Sequence, residues 1–273
     1  MSSHCRDLLT VMFSFVLLAL AGQSTARDLV VCADPDNLPY SRADESGLEN
    51  RIARLVADEI GAELHYRWQP LRRGVVRKTL DARACDMLAG VPSGMEGVAT
   101  TSAYYRSGYV FVYRRDETPP IESFDDPRLE TAAIGVQLVG ADMAATPAAL
   151  ALVRRGIVAN VIGFPVYGAE PAAQRMIEDV DGGRLDVAIV WGPQAGYFVQ
   201  HARAPLALSL ARDEGAAQPL DFAIAIGVRQ DDIALRGELD LALERARDRV
   251  GAILAEFGVP QVVSPPIDAD SSR

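Results

Sequence analysis

From Leu29 to Val91 the chain alternates short apolar runs with longer segments whose apolar residues recur every third or fourth position. Leu29–Ala33 is a continuous apolar run of strand length, read as a buried strand. Glu49–Ile60 (ENRIARLVADEI) carries apolar residues at helical spacing, and Gly61 follows as a stop. Leu64–Gln69 alternates as a strand does, Arg73–Ala82 reads as a second helix, and Met87–Val91 as a third strand. A β-α-β-α-β order predicts a parallel sheet with helices on its faces.

Gly108–Tyr113 (GYVFVY) is a further strand, and the charged, Pro-rich RRDETPPIESFDDPR after it reads as a crossing into a second unit. The pattern then restarts. Ala132–Gln137, Asn160–Phe164 and Asp186–Trp191 read as strands. Pro147–Arg155 (stopped by Gly156), Pro171–Val180 and Gln194–His201 read as helices. Leu206–Leu210 and Phe222–Val228 are late strands. Ile233–Phe257 reads as one long amphipathic helix, with Leu235, Leu239, Leu243, Val250, Ile253, Leu254 and Phe257 mostly three, four or seven apart. A chain that builds one lobe, builds a second and returns to the first makes two crossovers, hence a hinge and a cleft. The expected division is a first lobe of 27–114 plus 222–262, a second of 115–221, and a disordered tail of 263–273.

The N-terminus changes this picture. Leu8–Gly22 is an apolar run of about 15 residues, short of the roughly 20 that span a bilayer. Ser24 and Ala26 place small residues where a signal peptidase reads. Residues 1–26 are therefore expected to be a signal peptide rather than a buried helix. No Cys follows the run to carry a lipid anchor, so a soluble periplasmic chain starting near Arg27 is expected. Cys5 leaves with the signal, and Cys32 and Cys85 remain as an even pair in an oxidising compartment. They sit at the edges of the runs LVVC and CDMLAGV. If those strands are neighbours, a structural disulfide can join them. A sparse Cys pair without a nearby His is a poor metal site. The formal net charge of −10 argues against nucleic acid or anionic lipid as partners.

No catalytic set stands out. Of the three His, His4 leaves with the signal, and His65 and His201 have no ligand-spaced neighbour at i+2, i+3 or i+4. GxSxG, GxxxxGK[ST] and HExxH are absent. Gly90–Gly94 lacks the lysine of a phosphate loop and reads as a turn. Asp125-Asp126 and Asp231-Asp232 read as caps and solvated loops. No metal, cofactor or catalytic residue is therefore assigned. In parallel α/β sheets the carboxyl ends of the strands face the ligand. In the first lobe those ends carry Asp34, Asn37, Tyr40, Ser93 and Gly94, and in the second Gln137, Thr146, Tyr167 and Trp191. Each either lines the cleft or packs. As a group they suit a small organic molecule or a peptide-like group.

The order strand, PY turn, helix, CDMLAGVP and TTSAYYRSGYVFVYR resembles the type II periplasmic solute-binding fold (solute-binding protein family 3), from about Leu29 to Pro260. The segments LENRIARLVADEIGAEL, RRGVVRKTLDARACDMLAGVPSG, GVQLVGADMAATP, RRGIVANVIGFPVYG and DVAIVWGPQAGYF together resemble a narrower branch. This is the quinoprotein (PQQ) dehydrogenase-associated MxaJ/XoxJ family of methanol oxidation. The resemblance implies an α/β protein of two lobes, each with a mainly parallel sheet flanked by helices, joined by two hinge crossovers. It implies a periplasmic accessory that assists a PQQ-dependent alcohol dehydrogenase, with a cytochrome c as a further partner, and not an enzyme. Amino-acid-binding relatives carry an Arg for the substrate carboxylate where Gly94 stands here, and an Asp for the ammonium where Trp191 stands. Without those two charges the desolvation of a zwitterion goes uncompensated, which argues against an ordinary amino-acid ligand. The narrower family is also more polar around positions that are here Ala141, Ala148, Leu150 and Ala169. Three roles follow for comparison: an accessory docking on a dehydrogenase, the solute-binding component of an importer, and a cyclohexadienyl-dehydratase-like lyase. The last lacks an evident acid–base pair.

Overall fold

The computed structural model describes residues 27–115, 120–139, 143–166, 170–213 and 218–262. The expected signal peptide, the tail after 262, Ala141, Ala169 and Tyr167 lie outside those residues.

In the first lobe, β1 (Arg27–Ala33) ends in a hairpin of β2 (Asp36–Asn37) and β3 (Ser41–Arg42) that leads into α1 (Leu48–Ile60). Helix α1 buries Leu48, Ile52, Ala53, Val56 and Ala57, the stripe its spacing predicts, and Gly61 stops it with φ 65°. At its start Asn50 Oδ1 accepts from the backbone N–H of Gly47 (3.2 Å) and of Arg42 (2.9 Å), tying helix to hairpin. Strand β4 (Ala62–Trp68) runs parallel to β1 from Arg27↔Ala62 to Ala33↔Trp68.

The helix expected over Arg73–Ala82 is reduced to one turn, α2 (Val75–Lys78). Gly74 enters it at φ 76°, and Thr79 Oγ1 bonds back to the Val75 carbonyl at 2.7 Å. Paired β-branched residues and a back-bonding Thr leave little to propagate a helix. β5 (Met87–Pro92) then lies parallel to β1 on its other side. The neighbouring β1 and β5 are bridged by the Cys32–Cys85 disulfide, with Cα atoms 5.6 Å apart. It closes a loop of 53 residues, for which chain entropy gives about 4 kcal/mol.

After the short β6 (Ala99–Thr100), β7 (Tyr105–Arg114) belongs to both lobes. The second lobe follows: β8 (Ile134–Val139), β9 (Ala144–Ala145), α3 (Pro147–Arg154), β10 (Val161–Pro165), α4 (Ala172–Asp181), β11 (Val187–Trp191), α5 (Gly192–Val199) and β12 (Leu206–Leu210). Strands β10, β8 and β11 are parallel, and β11 and β12 flank β7 antiparallel. The chain returns as β13 (Asp221–Val228), antiparallel to both β5 and the first residues of β7. Along β7 the pairing changes at one step: Gly108 pairs with Asp221 of β13, and Tyr109 with Trp191 of β11. This is the type II periplasmic binding protein architecture, two α/β lobes on a twin crossover.

The expected C-terminal helix is two, α6 (Ile233–Arg245) and α7 (Arg247–Glu256), interrupted at Ala246 with ψ 7°. The seven-residue step from Leu243 to Val250 carries the apolar stripe across the break, so periodicity alone does not reveal it. Both helices return to α1, where Arg245 and Arg249 converge on Glu59. Ala148 sits buried in the second core under Phe111, Phe124 and Leu152, so its small side chain answers to packing rather than to the cleft. Asp126 caps a 3₁₀ turn over Pro127–Glu130, and Asp232 caps α6. No helix among the described residues is long and apolar enough to cross a membrane.

Candidate ligand-binding cleft

A cavity of about 460 Å³ opens between the lobes beside β7. The first lobe gives it Asn37, Tyr40, Glu49, Leu71, Val75 and the inner face of β5. The crossing strands give Tyr105, Tyr109, Phe222 and Ile224, and the second lobe gives Trp191. Tyr109, Trp191 and Phe222 form an edge-to-face series, with ring centroids 5.6 and 5.7 Å apart. Tyr40 of the first lobe and Trp191 of the second both line the cavity. Tyr104, behind this wall, donates its hydroxyl proton to the Ala89 carbonyl at 2.8 Å.

Glu49 is the one ionisable carboxylate on this wall. It stands in the first turn of α1, and its side chain lies so close over Gly90 that a Cβ there would collide with Oε1. The glycine at position 90 leaves the carboxylate room in this place. Burial alone raises its pKa to about 8, and no described Arg, Lys or His lines the cavity to offset that cost. Burial also raises Tyr40, Tyr104 and Tyr105 well above the usual phenol value, and Tyr109 to about 12, so all four are neutral phenols.

The residues singled out in the sequence are dispersed. Asn37, Tyr40 and Trp191 are on the cavity wall. Asp34 is not. Its carboxylate accepts from Asp36 N (3.1 Å) and Leu71 N (3.0 Å), holding the loop that presents Leu71. Ser93 and Gly94 are exposed, because the chain turns outward after Pro92 and passes through Gly94 at φ 75°. Gln137 is buried one layer behind, accepting from Trp191 N (3.2 Å) and donating to Gln194 Oε1 (2.9 Å). Thr146 is buried and caps α3, its hydroxyl accepting from Ala149 N. Tyr167 falls outside the described residues.

The sequence reading missed Glu49, Tyr105, Tyr109 and Phe222. For Glu49 a signal exists: with Ile52, Ala53 and Val56 it occupies i, i+3, i+4 and i+7 of α1. A carboxylate therefore stands on the apolar stripe of that helix. Elsewhere, His65 on β4 lies 3.3 Å from Asp28 on β1 and 3.8 Å from Glu63, an exposed cluster that pairing of the two strands brings together.

Comparison with known proteins settles the lineage. The chain is 34% identical over 261 residues to Protein MoxJ of Methylorubrum extorquens, covering 89% of this chain and 84% of MoxJ. It belongs to the MoxJ family. Protein MoxJ of Paracoccus denitrificans is 32% identical over 262 residues, covering 90% of this chain and 94% of that protein. Among solved structures, the periplasmic binding protein XoxJ of Methylobacterium extorquens AM1 superposes with a TM-score of 0.73 at 31% identity, over 86% of this chain and all of XoxJ. No protein-family model matches the chain. The MoxJ-family chain thus shares its fold with a binding protein, and the cleft described above is where that fold seats ligands.

Proposed function

We propose that this chain is a periplasmic accessory protein that assists the maturation or activation of a PQQ-dependent alcohol dehydrogenase, using the binding-protein fold without serving an importer. The carrying observation is the cleft itself. Where amino-acid receptors hold a zwitterion, Gly94 points to solvent and Trp191 is packed between Tyr109 and Phe222. The wall has a lone carboxylate and no matching cation among the described residues. Kinship to MoxJ over nine-tenths of the chain supports the association with methanol oxidation. In this reading residues 1–26 are removed on export, the lobes divide as 27–114 plus 222–262 and 115–221, and Asn37, Tyr40 and Trp191 meet whatever occupies the cleft.

The test is deletion of the gene in its own host, followed by assay of periplasmic PQQ dehydrogenase and native mass spectrometry of the isolated protein. The expected outcome is loss of active dehydrogenase and a complex at dehydrogenase mass. Unchanged dehydrogenase activity with no complex would sink the proposal.

One observation favours a second reading, the solute-binding component of an importer: the cavity is large enough for a small organic molecule and is lined from both lobes. In that case the isolated protein carries a few hundred daltons that leave on denaturation, and a saturating solute stabilises it. A hundredfold excess over Kd gives about 2.7 kcal/mol.

A further inference from the structure

We propose that the cleft binds a small organic ammonium cation with an apolar body, held by Glu49 as counter-ion against the faces of Tyr40, Tyr105, Tyr109 and Trp191. The assignment of ligand class rests on reading this cavity as the ligand cleft of a binding protein, and extends it. Four observations carry it.

First, the Glu49 side chain lies directly over Gly90 on the cavity wall, with Oε1 in the space that a Cβ at position 90 would take. Second, its carboxylate has no hydrogen bond or ion pair among the described residues, and burial is the cause of its raised pKa. A half-buried carboxylate without a protein partner is complementary to a cation that arrives from outside. Third, the groups around it are aromatic. Ring faces attract a desolvated ammonium, and rings beside a carboxylate form the usual cage for alkylated amines. Fourth, the remaining wall of Leu71, Val75, Leu88, Met95 and Ile224 is apolar, which asks for a hydrocarbon body and not a sugar or a zwitterion. An anion would meet Glu49 with no described cation to receive it.

Binding is coupled to a proton. Titratable groups facing Glu49 are Tyr40 from the β2–β3 hairpin, Tyr66 from β4, Tyr105 from β7 and Tyr104 just before it, all neutral phenols. In the empty cleft at pH 7 Glu49 is mostly protonated, since its pKa is about 8. A cation at its side favours the ionised form and expels that proton to solvent. Affinity for a fixed-charge cation therefore rises with pH up to about 8 and levels off above it.

The test is isothermal titration of the purified protein with benzyltrimethylammonium, whose charge does not titrate, beside benzyl alcohol and phenylacetate. It is done in two buffers of different ionisation enthalpy. The expected result is saturable binding of the cation with proton release at pH 7, at least tenfold weaker binding of both comparators, and at least a tenfold loss with no proton release in E49Q. Glu49→Gln keeps the side-chain volume and removes a charge the fold does not use. Equal binding of benzyl alcohol, preference for phenylacetate, an unchanged E49Q, or no saturable binding of the cation each overturn the proposal. Its failure is separable from that of the accessory reading. A dehydrogenase complex that forms while the cation does not bind removes only the ligand class. Cation binding without any such complex or activity loss removes only the accessory role.

Discussion

The two walls of the cleft are built on opposite principles. The second-lobe wall is a single indole, Trp191, whose backbone N–H is held from behind by Gln137, itself held by Gln194. In that chain the Trp191 N–H and both ends of the Gln137 amide have partners. The first-lobe wall instead keeps a carboxylate without one, backed by the cross-linked pair of β1 and β5 and the small core of Leu80, Leu88, Val91 and Val98 around the disulfide. Satisfied polarity positions a surface. A half-buried carboxylate without a protein partner, which costs stability, is kept where something else is to meet it. A covalent brace behind the costly wall and a hydrogen-bonded one behind the satisfied wall fit that division.

The contrast can be broken at its strongest point first. Removing the disulfide (C32A with C85A) is expected to lower stability by about 4 kcal/mol in the chain-entropy model, read as a lower denaturation midpoint in urea. A loss under 1 kcal/mol would mean that the first-lobe wall is held by packing alone. Glu49 comes next, and the sign of its effect is opposite. Its folded pKa of about 8 exceeds an unfolded value of about 4.3, so the folded chain retains a proton that the unfolded chain releases. Stability should fall as pH rises from about 5 to 8. E49Q should flatten that slope and, at pH 7, be more stable than the parent by on the order of 3.5 kcal/mol, since pH 7 lies about 2.7 units above the unfolded pKa and each unit corresponds to about 1.4 kcal/mol. Thermal melts across that range check this, and an unchanged slope would show a solvated Glu49.

On the second-lobe wall, Gln137→Leu strands the Trp191 N–H and the Gln194 side chain in the interior. A loss of about 2 kcal/mol is expected, together with quenched or shifted Trp fluorescence as the indole moves. The smallest effect is Tyr104→Phe, which removes the bond to the Ala89 carbonyl and should cost about 1 kcal/mol with no change in the pH slope. A pH slope altered by Y104F would mean that the phenol, and not burial, sets the ionisation of Glu49.

The architecture was readable because each lobe repeats one rhythm, apolar run then amphipathic helix, and because GYVFVY and FAIAIGV mark the two strands that cross. What escaped has local causes. β7 begins at Tyr105, earlier than its apolar run, since Tyr105–Ser107 pair with β13 through the backbone whatever their side chains. The ends of strands were taken as cleft-facing, yet the chain turns out at Ser93 and Gly94 and back in at Met95, a choice made by the Gly94 dihedral. Gln137 and Thr146 were seen as polar groups near strand ends. Whether such a group touches the cavity or the residue behind it depends on a single layer of depth, which sequence does not encode. A glutamate at the start of a helix reads as solvated by its type alone, although the spacing to Ile52, Ala53 and Val56 puts Glu49 on the apolar side of α1.

The last described residues have a practical bearing. Ser107 Oγ donates to the Pro260 carbonyl at 2.6 Å, and Val262 N donates to Arg106 O at 3.0 Å. The chain's final described stretch is therefore stitched like a splint along β7, one step from where the pairing passes from Asp221 to Trp191. A fluorophore placed at Val262 would sit on the pivot itself and report little of any rocking between the lobes. One placed at the rims, far from that seam, would have the longest lever arm.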